Sequence, residues 1–78
     1  MVKKVNHVHV VPWKAEGAKW AVKLPKEKVP LFTALLKKEA VLEGRRLAKE
    51  RHAELLIHKR DGTIQAKDSF GNDPRGNG

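Results

Sequence analysis

The sequence predicts an α+β fold in which one helix packs on one face of an antiparallel β-sheet. Two segments that alternate apolar and polar residues precede a stretch with helical periodicity, and two more strand-like segments follow it. Turn-forming residues separate the segments, and a chain of 78 residues has room for one small domain only. The expected element order is β-β-(β)-α-β-β, in which the third strand is one of two interpretations of residues 31–36.

A β-hairpin is predicted near the beginning of the chain. Residues 5–11 (VNHVHVV) alternate with a period of two, so His7 and His9 share one face of a strand. We expect Pro12 to end this strand, because proline has no N–H to donate. A turn follows, and residues 20–24 (WAVKL) alternate again as the second strand.

The central part of the chain contains one helix. Residues 31–36 (LFTALL) form either a third strand or the opening of this helix, with Pro30 at its first position. From Lys37 the spacing is helical, and His52 or Ala53 should end the helix. A glycine within the apolar stripe costs helix stability and indicates a close approach to the sheet. The stripe consists of Leu36, Ala40, Val41, Gly44, Leu47 and Ala48.

A second hairpin is predicted after the helix. Residues 54–59 form a strand with an aliphatic centre, and residues 60–62 (RDG) form a tight turn. Residues 63–65 return as a short strand, and residues 66–67 lead out of it. We expect the aromatic Phe70 to fold back onto the sheet or the helix as an apolar plug.

The last residues are rich in Gly, Asn and Pro. We expect Gly71 or Asn72 to adopt a left-handed turn conformation. Residues 1–74 should form the single domain, and residues 75–78 should be disordered.

Five segments occur in this order: His9-Val10-Val11-Pro12, Trp20-Ala21-Val22-Lys23, Ala53-Glu54-Leu55-Leu56-Ile57-His58, Arg60-Asp61-Gly62 and Asp68-Ser69-Phe70-Gly71-Asn72-Asp73-Pro74. Together they resemble a family of small bacterial proteins, the domain-of-unknown-function family 2188. The resemblance covers residues 3–74 and implies this fold class and a bacterial cytoplasmic setting, but it implies no activity. The chain has His52 where the family usually closes the helix with Gly, Lys59 where it usually has Gly, and a longer loop at residues 25–30. Leu35-Leu36 replaces polar residues at the helix start.

Composition excludes several classes of protein. The chain has no cysteine, so disulfide staples and Cys-based zinc sites are excluded, and a reducing cytoplasm is expected. No apolar run exceeds three residues, far short of the ~20 residues of a membrane-spanning helix. The usage of Lys, Glu and Arg is similar to that of thermophilic proteins. The net charge of +8 suggests a polyanionic partner or serves solubility alone.

The sequence gives no support for catalysis, a metal site or a cofactor. His7 and His9 lack an evident third ligand, so we interpret them as an ordinary polar sheet face. Turn formation accounts for Asp61, and bonds to local backbone N–H groups account for Asp68 and Asp73, so these carboxylates beside His58 do not indicate hydrolysis. We therefore expect a protein that is not an enzyme.

The basic residues are the best functional lead. We expect Lys19 and Lys23 to project from the sheet face opposite Trp20 and Val22, with Trp13 at its edge. His7 and His9 share this face if the two strands pair in the matching register. Such a face could lie along a nucleic-acid backbone. The helix offers a second basic surface. The alternative is a protein-interaction or self-associating domain, which an uncovered sheet face or edge would serve. The candidate nucleic-acid-binding residues are Lys19, Lys23, Lys37, Lys38, Arg45, Arg46, Lys49, Lys59 and Arg60.

Overall fold

A computed structural model of the chain describes residues 7–70 and confirms the α+β class. One helix packs on a five-stranded sheet whose strand order is β3-β2-β1-β4-β5. The described elements are β1 (His7–Ala15), β2 (Ala18–Lys23), β3 (Phe32–Ala34), α1 (Lys37–Arg51), β4 (Glu54–His58) and β5 (Ile64–Ser69).

The sheet is mixed, so the prediction of a purely antiparallel sheet is wrong in one pairing. β1 and β4 run parallel, with His7 opposite Glu54 and Val10 opposite Ile57, whereas the other pairs are antiparallel. The reason is the route of the chain. β3 runs in the same direction as β1, and α1 carries the chain back over the sheet, so β4 enters beside β1 in that same direction.

β1 continues through Pro12, which was expected to end it. Pro12 pairs with Trp20 on β2, and a register shift follows between Pro12 and Ala15. The β4 pairing stops at Val10, so β1 has no neighbour on that side when it reaches the proline. A proline is tolerated there, because it lies at a sheet edge and next to a bulge.

Residues 31–36 divide between strand and loop: Phe32–Ala34 form β3, and α1 begins at Lys37. Leu36 is the residue before the helix and is half exposed, so its expected place in the apolar stripe is wrong. The close approach inferred from Gly44 is confirmed, because a Cβ there would lie 2.8 Å from Val10 Cγ2 and 3.1 Å from Leu55 Cδ1. The buried core consists of Val8, Val10, Trp20, Val22, Ala34, Ala40, Ala48, Ala53, Leu55 and Ile57.

α1 ends at Arg51 and is capped by His52, one of the two residues expected to end the helix. This residue is in the left-handed region with φ 53°, the position that glycine usually occupies. Its backbone N–H donates to Lys49 O, and that of Ala53 donates to Ala48 O, so two of the last four carbonyl groups of α1 are satisfied.

The second hairpin has the expected turn but a longer return strand, which runs to Ser69. Asp61 accepts hydrogen bonds from the backbone and hydroxyl of Thr63, and these bonds lower the pKa of its carboxyl group. Phe70 packs against the core, and its N–H donates to Ala53 O at 3.1 Å, so its expected role is confirmed. The expectations for Gly71, Asn72, Asp73 and residues 75–78 lie outside the described residues.

Candidate functional site

α1 packs on one face of the sheet, and the opposite face, here called the open face, carries the candidate functional groups. The register places His9 beside Lys23 on β2 and beside Leu56 on β4. The expectation that His7, His9, Lys19 and Lys23 share a face is therefore confirmed. The open face presents His7, His9, Val11, Lys19, Ala21, Lys23, Glu54, Leu56, His58 and Lys67.

Two histidines from different strands meet near the centre of this face. His9 Nδ1 lies 2.9 Å from His58 Nε2, and the ring centroids are 5.2 Å apart. The centroid distance equals about the N···N distance plus the two ring radii, so the two nitrogen atoms point directly at each other. We call these residues the histidine pair.

The hydrogen bonds of the histidine pair fix where its protons lie. His58 Nδ1 is 2.8 Å from Gly62 O, which only accepts, so His58 donates through Nδ1. In the neutral ring Nε2 is then an acceptor, and His9 must donate to it through Nδ1. This arrangement leaves Nε2 of neutral His9 with a lone pair.

The surroundings of His9 disfavour its charged form. The pKa of His9 is lower than its ordinary value of 6.5. Partial burial is the largest cause, followed by electrostatic repulsion from His58, His7 and Lys23. At the end of the same strand, His7 Nε2 lies 3.6 Å from Glu54 Oε1.

The histidine pair does not have the geometry of a metal site. The two facing nitrogens point at one another and do not converge on a third point, where a cation would have to lie. Within residues 7–70, no group of three histidine, cysteine or acidic side chains is arranged to hold a metal ion.

A second feature lies where the β1–β2 and β4–β5 hairpins come together. A depression of about 480 Å³ surrounds the half-buried Trp13, and Lys19 connects it with the open face. Arg60 reaches it from the turn after β4. We call it the hairpin-end depression. Its lining residues are Pro12, Trp13, Lys14, Ala15, Ala18, Lys19 and Arg60.

Most of the basic residues predicted on the helix have contacts within the protein. Arg46 pairs with Glu43 at 2.6 Å and with Glu50 at 3.6 Å. The contact between Arg46 and Glu43 lowers the pKa of Glu43 and raises the pKa of Arg46. Arg45 pairs with Asp68 at 3.5 Å, which replaces the local backbone bonds expected for that carboxylate.

The lysines of α1 lie against aromatic rings or beside a groove. Lys37 hydrogen-bonds Gln65 and lies 5.0 Å from the Trp20 ring centroid. The Nζ atom of Lys49 lies 5.9 Å from the ring centroid of Phe70. Lys38 lines a groove of about 560 Å³ between α1 and β5. Eight of the nine predicted residues therefore divide between two surfaces. Lys19, Lys23 and Arg60 belong to the open face and the hairpin-end depression, and the five helix residues lie on the other side of the sheet. Lys59 is an exposed residue of the β4–β5 turn.

Sequence reasoning missed His58 and Lys14. His58 alternates with the buried Leu55 and Ile57, which indicates its face, but nothing local shows that β4 lies beside β1. Lys14 follows Pro12, where the strand was expected to have ended.

Comparison with protein families gives one match. A family model described as "Uncharacterized protein conserved in bacteria (DUF2188)" matches residues 8–70, which include the helix and, except for His7, all five described strands. The chain belongs to the DUF2188 family. No curated protein and no solved structure matches it. Among the described residues, no helix is long and apolar enough to cross a membrane.

Proposed function

We propose that this DUF2188 protein is a small, non-catalytic module that binds the sugar-phosphate backbone of nucleic acid through its open face and hairpin-end depression. The observation that supports this most directly is the depression itself, where Trp13 lies among Lys14, Lys19 and Arg60. Proteins that bind single strands combine an aromatic ring, on which a base stacks, with cations that contact the phosphates.

The charge of this surface is suited to a polyanion. The hairpin-end depression is lined by three cations and no carboxylate. On the open face, Lys19, Lys23 and Lys67 outnumber the acidic Glu54, which lies next to His7. On the helix side, in contrast, Arg45 and Arg46 are paired with carboxylates. A phosphate backbone would have to displace those partners, so we favour the open face.

The proposal predicts salt-dependent binding with little sequence preference. For about 3–5 phosphate contacts, log K should fall with log salt with a slope of roughly −2 to −4. Specificity should be low, because phosphate contacts carry no direct sequence information.

Two charge-matched double variants test the site. Lys19→Glu with Arg60→Glu should weaken binding of a single-stranded oligonucleotide by more than about tenfold at about 50 mM salt, because two phosphate contacts become repulsive. Lys26→Glu with Lys28→Glu makes the same charge change in the exposed loop before β3 and should have an effect of less than about threefold. Tryptophan fluorescence and circular dichroism would check that both variants are folded.

Two results would contradict the proposal. Equal losses in both double variants would indicate attraction by net charge alone. No binding of DNA or RNA at about 50 mM salt would remove the function. If Arg45→Glu with Arg46→Glu gave the large loss instead, the site would lie on the helix.

A second candidate function is association with another protein through the β5 side of the molecule. In the described part of the chain β5 pairs only with β4, and Leu42 is exposed in the groove between α1 and this edge strand. Exposed edge strands and apolar patches are typical of interaction surfaces. Sedimentation over a range of concentrations would test self-association, and Leu42→Glu should abolish any dimer formed there. A bacterial cytoplasmic setting is part of both proposals, supported by the family description and the absence of cysteine.

A further inference from the structure

The open face contains a second depression, separate from the one around Trp13, where His9 and Lys23 lie side by side. The two residues are partners in the β1–β2 register, and both are partly buried. The depression has a volume of about 250 Å³ and is lined by His9, Val11, Lys23, Leu24 and Pro25, with no carboxylate among them. Its two nitrogen-bearing side chains are suited to one phosphate group.

We propose that one phosphodiester of the bound backbone lies between Nε2 of His9 and Nζ of Lys23, and that its binding draws one proton onto the histidine pair. This inference rests on the proposed function and adds to it a defined phosphate position and a coupling to pH.

Proton counting on the histidine pair leads to this coupling. Neutral His9 has its remaining lone pair on Nε2, which would repel a phosphate oxygen. A proton added at Nε2 turns this atom into a charged donor and leaves the hydrogen bond from His9 Nδ1 to His58 Nε2 intact. A second proton would have to go between the facing nitrogens and would break that bond. The pair therefore takes up one proton without rearrangement.

The charges around His9 disfavour its protonation in the ligand-free protein. The ionisable groups on the open face come from four strands: His7 on β1, Lys19 and Lys23 on β2, Glu54 and His58 on β4, and Lys67 on β5. Most of these groups are cationic or become so, and Glu54 lies beside His7, so the added proton is unfavourable until an anion arrives. A phosphate would supply that anion and make a charge-assisted hydrogen bond with protonated His9.

The test measures affinity for an oligonucleotide without terminal phosphates between about pH 5.5 and pH 8 at constant salt. Uptake of one proton gives a rise in affinity that approaches tenfold per unit fall in pH, until the free protein is itself protonated. His9→Gln should flatten this dependence. His7→Gln, on the same strand and face, is the matched control and should retain it. Lys19→Gln should weaken binding equally at every pH.

Ring proton signals in a magnetic resonance titration without nucleic acid test the pair separately. The His9 and His58 rings should shift together at one midpoint, and His58→Gln should move the His9 midpoint. Independent titration of the two rings would overturn the inference.

The binding results distinguish this inference from the proposed function. Binding that persists with the same affinity at every pH would overturn the proton coupling and leave the function standing. Failure to bind at any pH would overturn both.

Discussion

The two faces of the sheet are built from alternate residues of the same strands, but they contain different kinds of side chain. The face under α1 is closed: Val8, Val10, Val22 and Leu55 are all 0% exposed. At the intervening positions the open face has histidines and lysines together with the apolar Val11, Ala21 and Leu56. The apolar face therefore supplies most of the stability, which leaves the open face able to carry groups that contribute little to folding.

Adjacent leucines on β4 provide the sharpest test of this difference. Leu55 lies under α1, and Leu56 lies on the open face next to His9 and Lys67. Leu55→Ala should lower the free energy of unfolding by about 2–5 kcal/mol, since it leaves a cavity in the core. Leu56→Ala should cost less, about 1–2 kcal/mol, because no helix covers this face and neighbouring side chains can close the gap that the substitution leaves. Equal shifts in urea midpoint would refute the asymmetry between the faces.

The contact between α1 and the sheet depends on Gly44. Gly44→Ala should destabilise the protein by about 1–3 kcal/mol, because the new methyl group overlaps Val10 and Leu55. The cost of this overlap should exceed the ~1 kcal/mol gain in helix propensity. Thermal melting would measure the loss. Lys38→Ala, on an exposed helix position, is the control and should change stability by no more than about 0.5 kcal/mol. A stabilised Gly44→Ala protein would show that the helix can move away at no cost.

A substitution at His52, the left-handed residue that caps α1, should raise stability without altering either face of the sheet. His52→Gly should stabilise the protein by about 0.5–1 kcal/mol, because glycine adopts φ 53° without a Cβ clash. Denaturant midpoints would measure this. Oligonucleotide affinity should remain unchanged, and a change in affinity would place His52 in the site.

The smallest expected effect on stability is that of pH. Because the pKa of His9 is below 6.5 in the folded protein, the unfolded chain binds its proton first as pH falls. This contribution to stability is complete above pH 6.5 and is lost as pH falls from 6.5 through the lowered pKa of the folded state. Urea unfolding of the protein and of His9→Gln at about pH 7.5 and about pH 5.5 would test it. The variant should show the smaller loss, and identical losses would contradict the assignment.

Local patterns were sufficient to predict the hairpins, the helix end at His52 and the shared face of His7, His9 and Lys23. Each of these depends on residues close in sequence or on strands joined by one turn. The same patterns were insufficient for the parallel pairing of β1 with β4, because periodicity indicates which way a side chain faces and not which strand lies beside it. His58 was missed for that reason. The continuation of β1 through Pro12 was missed because a proline is tolerated there only where the pairing with β4 has already ended.

The histidine pair joins residues that are 49 positions apart in the chain. Contacts of such separation form late in folding, because the entropy of closing the intervening chain must be overcome first. The β1–β2 hairpin can assemble from a nascent or partly folded chain, but such a chain lacks β4 and therefore lacks His58 beside His9. A truncated or misfolded copy would retain its positive charge without this proton-linked phosphate position. Acquisition of pH-dependent binding during refolding would thus report the arrival of β4 at its place in the sheet.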